Sequence, residues 1–496
     1  MRREMARGAA WMVLFRLFDR CVGVASTTVL ARLLVPADFG LVAMAMSVIA
    51  IIELASTFSF EVALIQKPDP AREHYDTAWT LNLILAGVCA AVTAALAHPA
   101  AAFYSDPRLV PIMFVIGAAW LVSGFENVGT VNFRRNMDFS AEFRFMAIKR
   151  VVSFAVTISA ALAFRSYWAL VAGMAVGRIT GVILSYAMQP FRPRLSLSCT
   201  RELFAFSRWL LINNIAGVLL GRMPHFFVGR FFGAQTLGAY TVGSEIAALA
   251  HTELVAPINR AMFPGYARLV DEPDAFRRVC LDATAAILLI VLPVSVGIAA
   301  LAGPLVRVLL GAQWGEAVPI IQVLAFSGAI TALTSNNVAA YLALGQPHRV
   351  TLILLARLLV FVAAAASLVN TRHVLAVAYA DLVASLGSLL VSLPILFHAL
   401  DLKARRYLAT LWRPLLASGL MGLGLYLVVQ AMPGATAIGA AALSLLICVP
   451  VGATVYLGCL WLLWLLSGQP HSVELQIAQA TFGAVSDALG RRRVSP

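Results

Sequence analysis

Charge is what this sequence has least of. Asp, Glu, Lys and Arg make up only 12% of its 496 residues, against 61% apolar residues. That is too little polar surface for the several water-soluble domains such a length would ordinarily build. The six cysteines (Cys21, Cys89, Cys199, Cys280, Cys448 and Cys459) are scattered, with no CxxC pair. They read as packing residues rather than metal ligands or disulfide partners. No phosphate-cradling G-x-x-x-x-G-K-[ST] run occurs, and no break between apolar runs exceeds about 20 residues, so an ATP-driven pump and a sizeable catalytic domain both lack a place. Alternating segments of about ten residues are missing too, which excludes an outer-membrane barrel. The first apolar run carries Arg16, Asp19 and Arg20 and no small-residue cleavage site, so it reads as a retained helix rather than a signal peptide.

What remains is a succession of helix-length apolar runs, with a mean hydropathy of +0.86. At roughly 20 residues per crossing, they predict an all-α polytopic membrane protein with about 14 transmembrane helices. The runs lie near 9–30, 41–65, 77–103, 110–130, 143–164, 167–189, 207–229, 239–262, 281–302, 318–343, 350–369, 374–397, 411–431 and 437–467. Pro36, Pro68, Pro107, Pro190, Pro273, Pro347 and Pro433 fall in the breaks, where helices end. Pro224, Pro257, Pro293, Pro394 and Pro450 fall inside runs and mark expected kinks.

Charge placement orients this map. With the N-terminus inside, 26 of the 37 basic residues fall on inside segments; only Arg32, Arg108, Arg165, Arg230, Arg307 and Arg372 fall outside. Lys and Arg accumulate on the cytoplasmic side of short loops, so both termini are expected there. The net charge of +13 is then explained by anionic headgroups, with no nucleic acid required. Leu475, Ala478, Phe482, Val485 and Leu489 recur at helical spacing before Arg491 to Arg493, which fits either a helix lying on the inner surface or a frayed tail.

The chain also repeats itself. Ala31 to Val42 (ARLLVPADFGLV) aligns with Gly229 to Tyr240 (GRFFGAQTLGAY) at an offset of 198, matching Arg32 to Arg230 and Gly40 to Gly238. Phe103 to Pro111 echoes Leu309 to Pro319. Both pairs occupy corresponding loops, which predicts two six-helix lobes related by a pseudo-twofold along the membrane normal, with binding at the lobe interface. The expected organisation is 1–205 and 206–410 as lobes, 411–467 as two added transmembrane helices, and 468–496 as a cytoplasmic tail.

These loops carry a resemblance. Ala31-Arg32-Leu33-Leu34 with Pro36, Asp38, Phe39 and Gly40, then Ala63-Leu64-Ile65-Gln66, then Thr77-Ala78-Trp79 with Leu81-Asn82, are similar to the Wzx-type polysaccharide and O-antigen flippases. These belong to the multidrug/oligosaccharidyl-lipid/polysaccharide exporter superfamily. Arg230-Phe231-Phe232 with Leu237, Gly238 and Tyr240, and Gly311 with Trp314 and Pro319, extend the match from about Trp11 to residue 410. Phe60 and Glu61 depart from the smaller residue expected there, so no role is carried onto Glu61. The resemblance implies a bacterial inner-membrane protein that alternates between inward- and outward-facing states, with a polyprenyl-diphosphate-linked oligosaccharide as cargo. Membrane lipids, H⁺ or Na⁺ taken by a membrane carboxylate, and polysaccharide polymerase or export machinery are the expected partners; with no phosphate-cradling loop and no sizeable loop domain, neither a cofactor nor enzymatic activity is expected.

Ionisable groups at membrane depth are costly unless paired or hydrated, and therefore mark candidate transport residues. The basic ones are Arg16, Arg20, Arg178, Arg222 and Arg357. Arg16 and Arg20 share a helix face, and Arg178 lies within Gly173-xxx-Gly177-xxx-Gly181, a face that admits close backbones. Forked, always-charged guanidinium groups suit a diphosphate, although Arg16, Arg222 and Arg357 lie near enough to boundaries to snorkel. The acidic candidates for ion coupling are Asp19, Glu53, Glu245 and Asp381, with simple neutralisation of a helix Arg as the other reading for Asp19. The alternatives to a polysaccharide flippase are a cation-coupled multidrug antiporter and a lipid-linked peptidoglycan precursor flippase of the same superfamily. A non-transporting envelope scaffold stands outside that class and needs no cavity charges.

Overall fold

The structure is a computed structural model that describes residues 2–53, 60, 64–65, 67, 70–368, 373–431 and 438–468. The expected surface helix at 475–489, the Glu61 position and Arg372 lie outside the described residues. Among those residues the regular structure is helical throughout, with no strand. The helices are α1 (Arg2–Leu33), α2 (Pro36–Glu53), α3 (Arg72–Tyr104), α4 (Leu109–Ser123), α5 (Val131–Arg135), α6 (Phe139–Phe164), α7 (Trp168–Met188) and α8 (Thr200–Leu249). After a π-helical turn at Ala250–Val255 come α9 (Ala256–Arg268), α10 (Pro273–Ala300), α11 (Ala302–Leu309), α12 (Ala317–Ala343), α13 (Pro347–Leu368), α14 (Leu375–Leu400), α15 (Ala404–Ala431) and α16 (Ile438–Leu466).

Ten of the described helices are long and apolar enough to cross a bilayer, or eleven if the bent pair Leu109–Ser123 with Val128–Arg135 forms one span. The protein is therefore a multi-pass membrane protein. The difference from fourteen has a physical source in the two longest polar helices, α1 and α8. Both carry several charges along their length, and α8 fuses two expected runs. A single residue interrupts it: Gly233, at φ 80 and ψ −179, where a side chain would be strained. Pro36, Pro273 and Pro347 open helices, where a missing N–H costs nothing.

Met1–Thr241 with Leu309–Trp314 forms one compact unit, and Val242–Val308 with Gly315–Pro496 another. The division falls inside α8, whereas the sequence placed a boundary at 205/206. In the first unit, α1 lies on α6 through Trp11, Phe15 and Phe18, whose rings surround Phe143 at 5.1, 6.2 and 6.2 Å. Helices α6 and α7 pair so closely that a Cβ on Gly173 would fall 1.7 Å from Thr157 Oγ1, and Ser153 Oγ donates to the Gly173 carbonyl at 2.8 Å. The linker from α7 to α8 runs along the start of α3. Arg194 N–H donates to Asp76 Oδ1 at 2.9 Å and Ser196 N–H to Thr80 Oγ1 at 3.0 Å. The polar positions around Thr77-Ala78-Trp79 thus hold backbone that would otherwise lack partners.

The repeated loops meet inside this first unit. A Cβ on Gly40 would lie 1.7 Å from the Ala234 carbonyl oxygen, and a Cβ on Gly238 would lie 1.8 Å from the Pro36 carbonyl oxygen. At the repeat offset Pro36 matches Ala234 and Gly40 matches Gly238, so the two contacts are reciprocal. Asp38 ties this loop to the turn before α7 by accepting from Val35 N–H at 3.2 Å and Tyr167 N–H at 3.1 Å. Trp314 Nε1 donates to the Ala31 carbonyl at 2.8 Å while its ring meets Phe39 edge-on at 5.2 Å.

The second unit is built on α12, which carries a polar seam. Tyr266 donates to Asn336 Oδ1 at 2.9 Å, Asn336 Nδ2 to Thr284 Oγ1 at 3.0 Å, and Tyr341 to the Ser392 carbonyl at 2.7 Å, all of them buried. The two last helices are integral to it: Tyr456 of α16 donates to the Leu289 carbonyl of α10 at 2.9 Å.

Candidate functional site

Arg178 sits ten residues from each end of α7, so at 1.5 Å per residue it lies roughly 15 Å from either end, near the bilayer centre. Its side chain is only 22% exposed. The guanidinium carbon stands 4.0 Å over the Trp120 ring of α4. Stacking on the strongest aromatic partner for a cation orients the flat guanidinium, so fewer degrees of freedom remain to be frozen by an incoming anion. Its polar contacts are long: Nη2 is 3.7 Å from Glu53 Oε1 and Nη1 donates to Ser123 Oγ at 3.4 Å. Ser123 in turn donates to the Trp120 carbonyl at 2.6 Å.

The small residues around Arg178 have a local purpose. Gly173 and Gly177 let α7 approach Thr157 and Ser153 of α6, and Gly181 sits where a Cβ would come within 2.9 Å of Lys149 Nζ and 3.1 Å of Glu126 Oε2. Lys149 and Glu126 pair at 3.5 Å. Both Glu53 and Glu126 lie within electrostatic range of Arg178, and Arg222 of α8 within range of Glu53. The result is a row of alternating charge along one wall of the first unit. Lys149 lies within α6, where Glu126 supplies its counter-charge.

The first-helix candidates are arranged differently. Arg16 and Arg20 are exposed, and Asp19 pairs with Arg150 of α6 at 2.9 Å, a link between helices. Arg150 was not singled out by the sequence because it falls on a segment rich in other basic residues. Arg222 is half-buried on α8, and Glu245 is exposed in the second unit.

In the second unit Arg357 lies ten residues into α13, deeper than a snorkelling residue near a boundary. Its Nη2 donates to Asp381 Oδ1 of α14 at 3.3 Å, both side chains being under 20% exposed. Ser327 Oγ of α12 donates to Asp381 Oδ2 at 2.5 Å and lies 2.8 Å from Ser385 Oγ. The carboxylate is thus held from two sides, as a desolvated ion pair requires. His251, on the π-helical turn, stands within electrostatic range of Arg357. Neither Trp120 nor Ser327 was visible as a site residue in the sequence, because tryptophan and serine are ordinary in membrane helices. Among the described residues no cluster of His, Cys, Asp or Glu has the geometry of a metal site.

A family model described as polysaccharide biosynthesis protein matches residues 29–319, well over half the chain. The succinoglycan biosynthesis transport protein ExoT of Rhizobium meliloti (strain 1021) is 22% identical over 69% of this chain and 70% of its own. The teichuronic acid biosynthesis protein TuaB of Bacillus subtilis (strain 168) is 23% identical over 75% and 78%. The lipopolysaccharide biosynthesis protein WzxC of Escherichia coli (strain K12) is 22% identical over 66% and 68%. Among solved structures, the lipid II flippase MurJ in an inward closed conformation superposes with a TM-score of 0.73 at 12% identity, over 91% of this chain and 99% of that one. An inward-facing multidrug transporter of the MATE family gives 0.60 at 17% identity, over 77% and 95%. At these identities the two superpositions speak to fold alone.

Proposed function

Because this chain belongs to the polysaccharide biosynthesis protein family, we propose that it translocates polyprenyl-diphosphate-linked oligosaccharides across the bacterial inner membrane by alternating access, for the synthesis of lipopolysaccharide, exopolysaccharide or capsule. The observation that carries the proposal is Arg178: a guanidinium at the middle of the bilayer, stacked on Trp120 and, among the described residues, in polar contacts of 3.4 and 3.7 Å. The Asp381 carboxylate in the second unit is held more closely, by Arg357 at 3.3 Å and by Ser327 at 2.5 Å. A diphosphate entering beside Arg178 gains charge-assisted hydrogen bonds in a medium where they are strong.

In this reading fourteen spans cross the membrane with both termini cytoplasmic, in two repeats related by a pseudo-twofold; the reciprocal contacts of Gly40 and Gly238 support that symmetry. The protein carries out no covalent chemistry. Its cycle draws on the membrane potential, on H⁺ or Na⁺ taken by Glu53, Glu245 or Asp381, or on removal of the cargo by a polymerase. A cation-coupled multidrug antiporter would place carboxylates rather than a stacked guanidinium at mid-depth.

The test is polysaccharide export in cells lacking the native gene, with membrane insertion of each variant verified. Arg178→Ala is expected to abolish export, and Arg178→Lys to recover part of it, since Lys keeps the charge but loses the fork and the stack. Full export by Arg178→Ala would sink the cationic mechanism. Drug resistance conferred on a pump-deleted strain, without restored export, would favour the antiporter instead.

A further inference from the structure

The first unit carries a second feature that Arg178 does not explain. Between α2, α3 and the first half of α8 lies an apolar pocket of about 830 Å³. Its walls include Ile51, Ala100, Phe103, Met223, Phe227 and Phe231, and the single charged residue among its lining is Arg230. The guanidinium of Arg230 lies 5.7 Å from the centroid of the Phe103 ring, which holds it at the end of the pocket where α8 approaches Gly233. From Met223 to Arg230 is seven residues of helix, roughly 10 Å, against the roughly 15 Å depth of one leaflet's hydrocarbon. The pocket therefore has the dimensions of a slot for one lipid chain, apolar along its length and cationic at its mouth.

We propose that this groove seats the polyprenyl chain of the carrier lipid, with its phosphate against Arg230, on the far side of the membrane from the termini. The proposal rests on the carrier-lipid reading above. Two features favour a single-chain carrier over a bilayer phospholipid. One slot beneath one guanidinium matches one chain on one phosphate, whereas a phospholipid would leave its second chain outside. Phe103, Phe227 and Phe231 also present flat faces suited to a branched, unsaturated chain, and the exposure of Phe103 and Phe231, at 45% and 57%, leaves them available to it.

The experiment uses the full chain in phosphatidylcholine nanodiscs and a polyprenyl phosphate bearing a photoreactive diazirine on its tail. Crosslinks are expected on the segments 96–103 and 223–231, competed by unlabelled polyprenyl phosphate and not by an equal amount of phosphatidylglycerol. Arg230→Ala is expected to lower labelling about tenfold, the loss of one charge-assisted contact, and Arg230→Lys to keep most of it. Ala100→Phe, which fills the slot and leaves the cation in place, should also abolish labelling. Thermal unfolding of each variant confirms that it is folded. Labelling unchanged in Arg230→Ala, or competed equally by phosphatidylglycerol, overturns the proposal and makes the groove ordinary annular surface. Specific labelling in a protein that supports no export would instead sink the function proposed above and leave the groove standing.

Discussion

Replacing Gly40 with alanine adds one carbon, and the structure says what that carbon meets. It would lie 1.7 Å from the Ala234 carbonyl oxygen and 2.5 Å from its carbon. A relaxed C···O approach is about 3.3 Å or more, so the two loops must separate by roughly 1.5 Å. No rotamer relieves the clash, because both partners are backbone. Overpacking of this kind costs about 1–3 kcal/mol. If the cost falls only on the state in which the loops are crossed, the population of that state drops by about 5- to 150-fold relative to one in which they are apart. Gly238→Ala, whose Cβ would meet the Pro36 oxygen at 1.8 Å, is expected to act the same way.

Spin labels at positions 35 and 235, in a background with the six native cysteines replaced, would read the loop separation by pulsed dipolar spectroscopy. Either alanine variant is expected to shift the distance distribution to longer values and to depress export. The double variant should cost less than the sum of the two, because one separation relieves both clashes. Gly297→Ala, where an added carbon meets nothing within 4 Å, is the control and should leave both readouts alone. Unchanged distances in Gly40→Ala, with unchanged export, would refute the reading that this crossing excludes a Cβ and that export depends on it.

Arg357→Gln and Asp381→Asn should each lower the unfolding temperature in detergent by leaving a half-buried charge without its partner, an effect of about 1–3 kcal/mol after allowance for their partial exposure. The double variant should recover most of that loss; additive losses would mean the pair is not coupled. Gly173→Ala should destabilise the pairing of α6 with α7, and Thr157→Ala should recover part of the loss by removing the Oγ1 that stands 1.7 Å away, while the Thr157 Cβ at 2.9 Å remains. Failure of the rescue would place the clash elsewhere. In the loop after α3, Arg108 forms paired contacts of 2.7 and 3.0 Å to Asp106 and holds its carboxyl below the usual aspartate range. That stabilisation is present above the ordinary aspartate pKa and is lost as pH falls through the lowered value. Arg108→Ala should therefore remove the part of the acid dependence seen below about pH 4 by hydrogen exchange at this loop.

The spans were legible because the bilayer imposes one period and one length on every crossing, and the prolines at 36, 273 and 347 mark where α2, α10 and α13 begin. The close approach of the two loops has a trace in the sequence for a related reason. Gly40 and Gly238 must both be glycine if two backbones are to cross, so the constraint is written twice in the sequence. Partners were harder to read. Asp19 finds Arg150, about 130 residues away. Helical spacing reports which residues share a face; it says nothing about which other helix that face meets. Trp120, the platform for Arg178, carries no charge and so left no mark on a search for ionisable groups.

The two mid-membrane arginines show how the same residue type is used in two ways. At the repeat offset, Glu53 of the first half corresponds to His251 of the second. Glu53 lies 3.7 Å from Arg178, and His251 lies near Arg357. Where the first half has a carboxylate, the second has an imidazole, which carries no negative charge to balance a guanidinium. Arg357 is balanced from another direction, by Asp381 on the neighbouring helix with Ser327 behind it. At Arg357 an entering anion must compete with a carboxylate that Ser327 also holds, although the Arg357 Nε itself has no hydrogen-bond partner among the described residues. Arg178 has a stacked face, a long ion pair and a long hydrogen bond, so an entering phosphate displaces little. On the function proposed above, cargo contact falls to Arg178, while Arg357 and Asp381 with Ser327 link α12, α13 and α14.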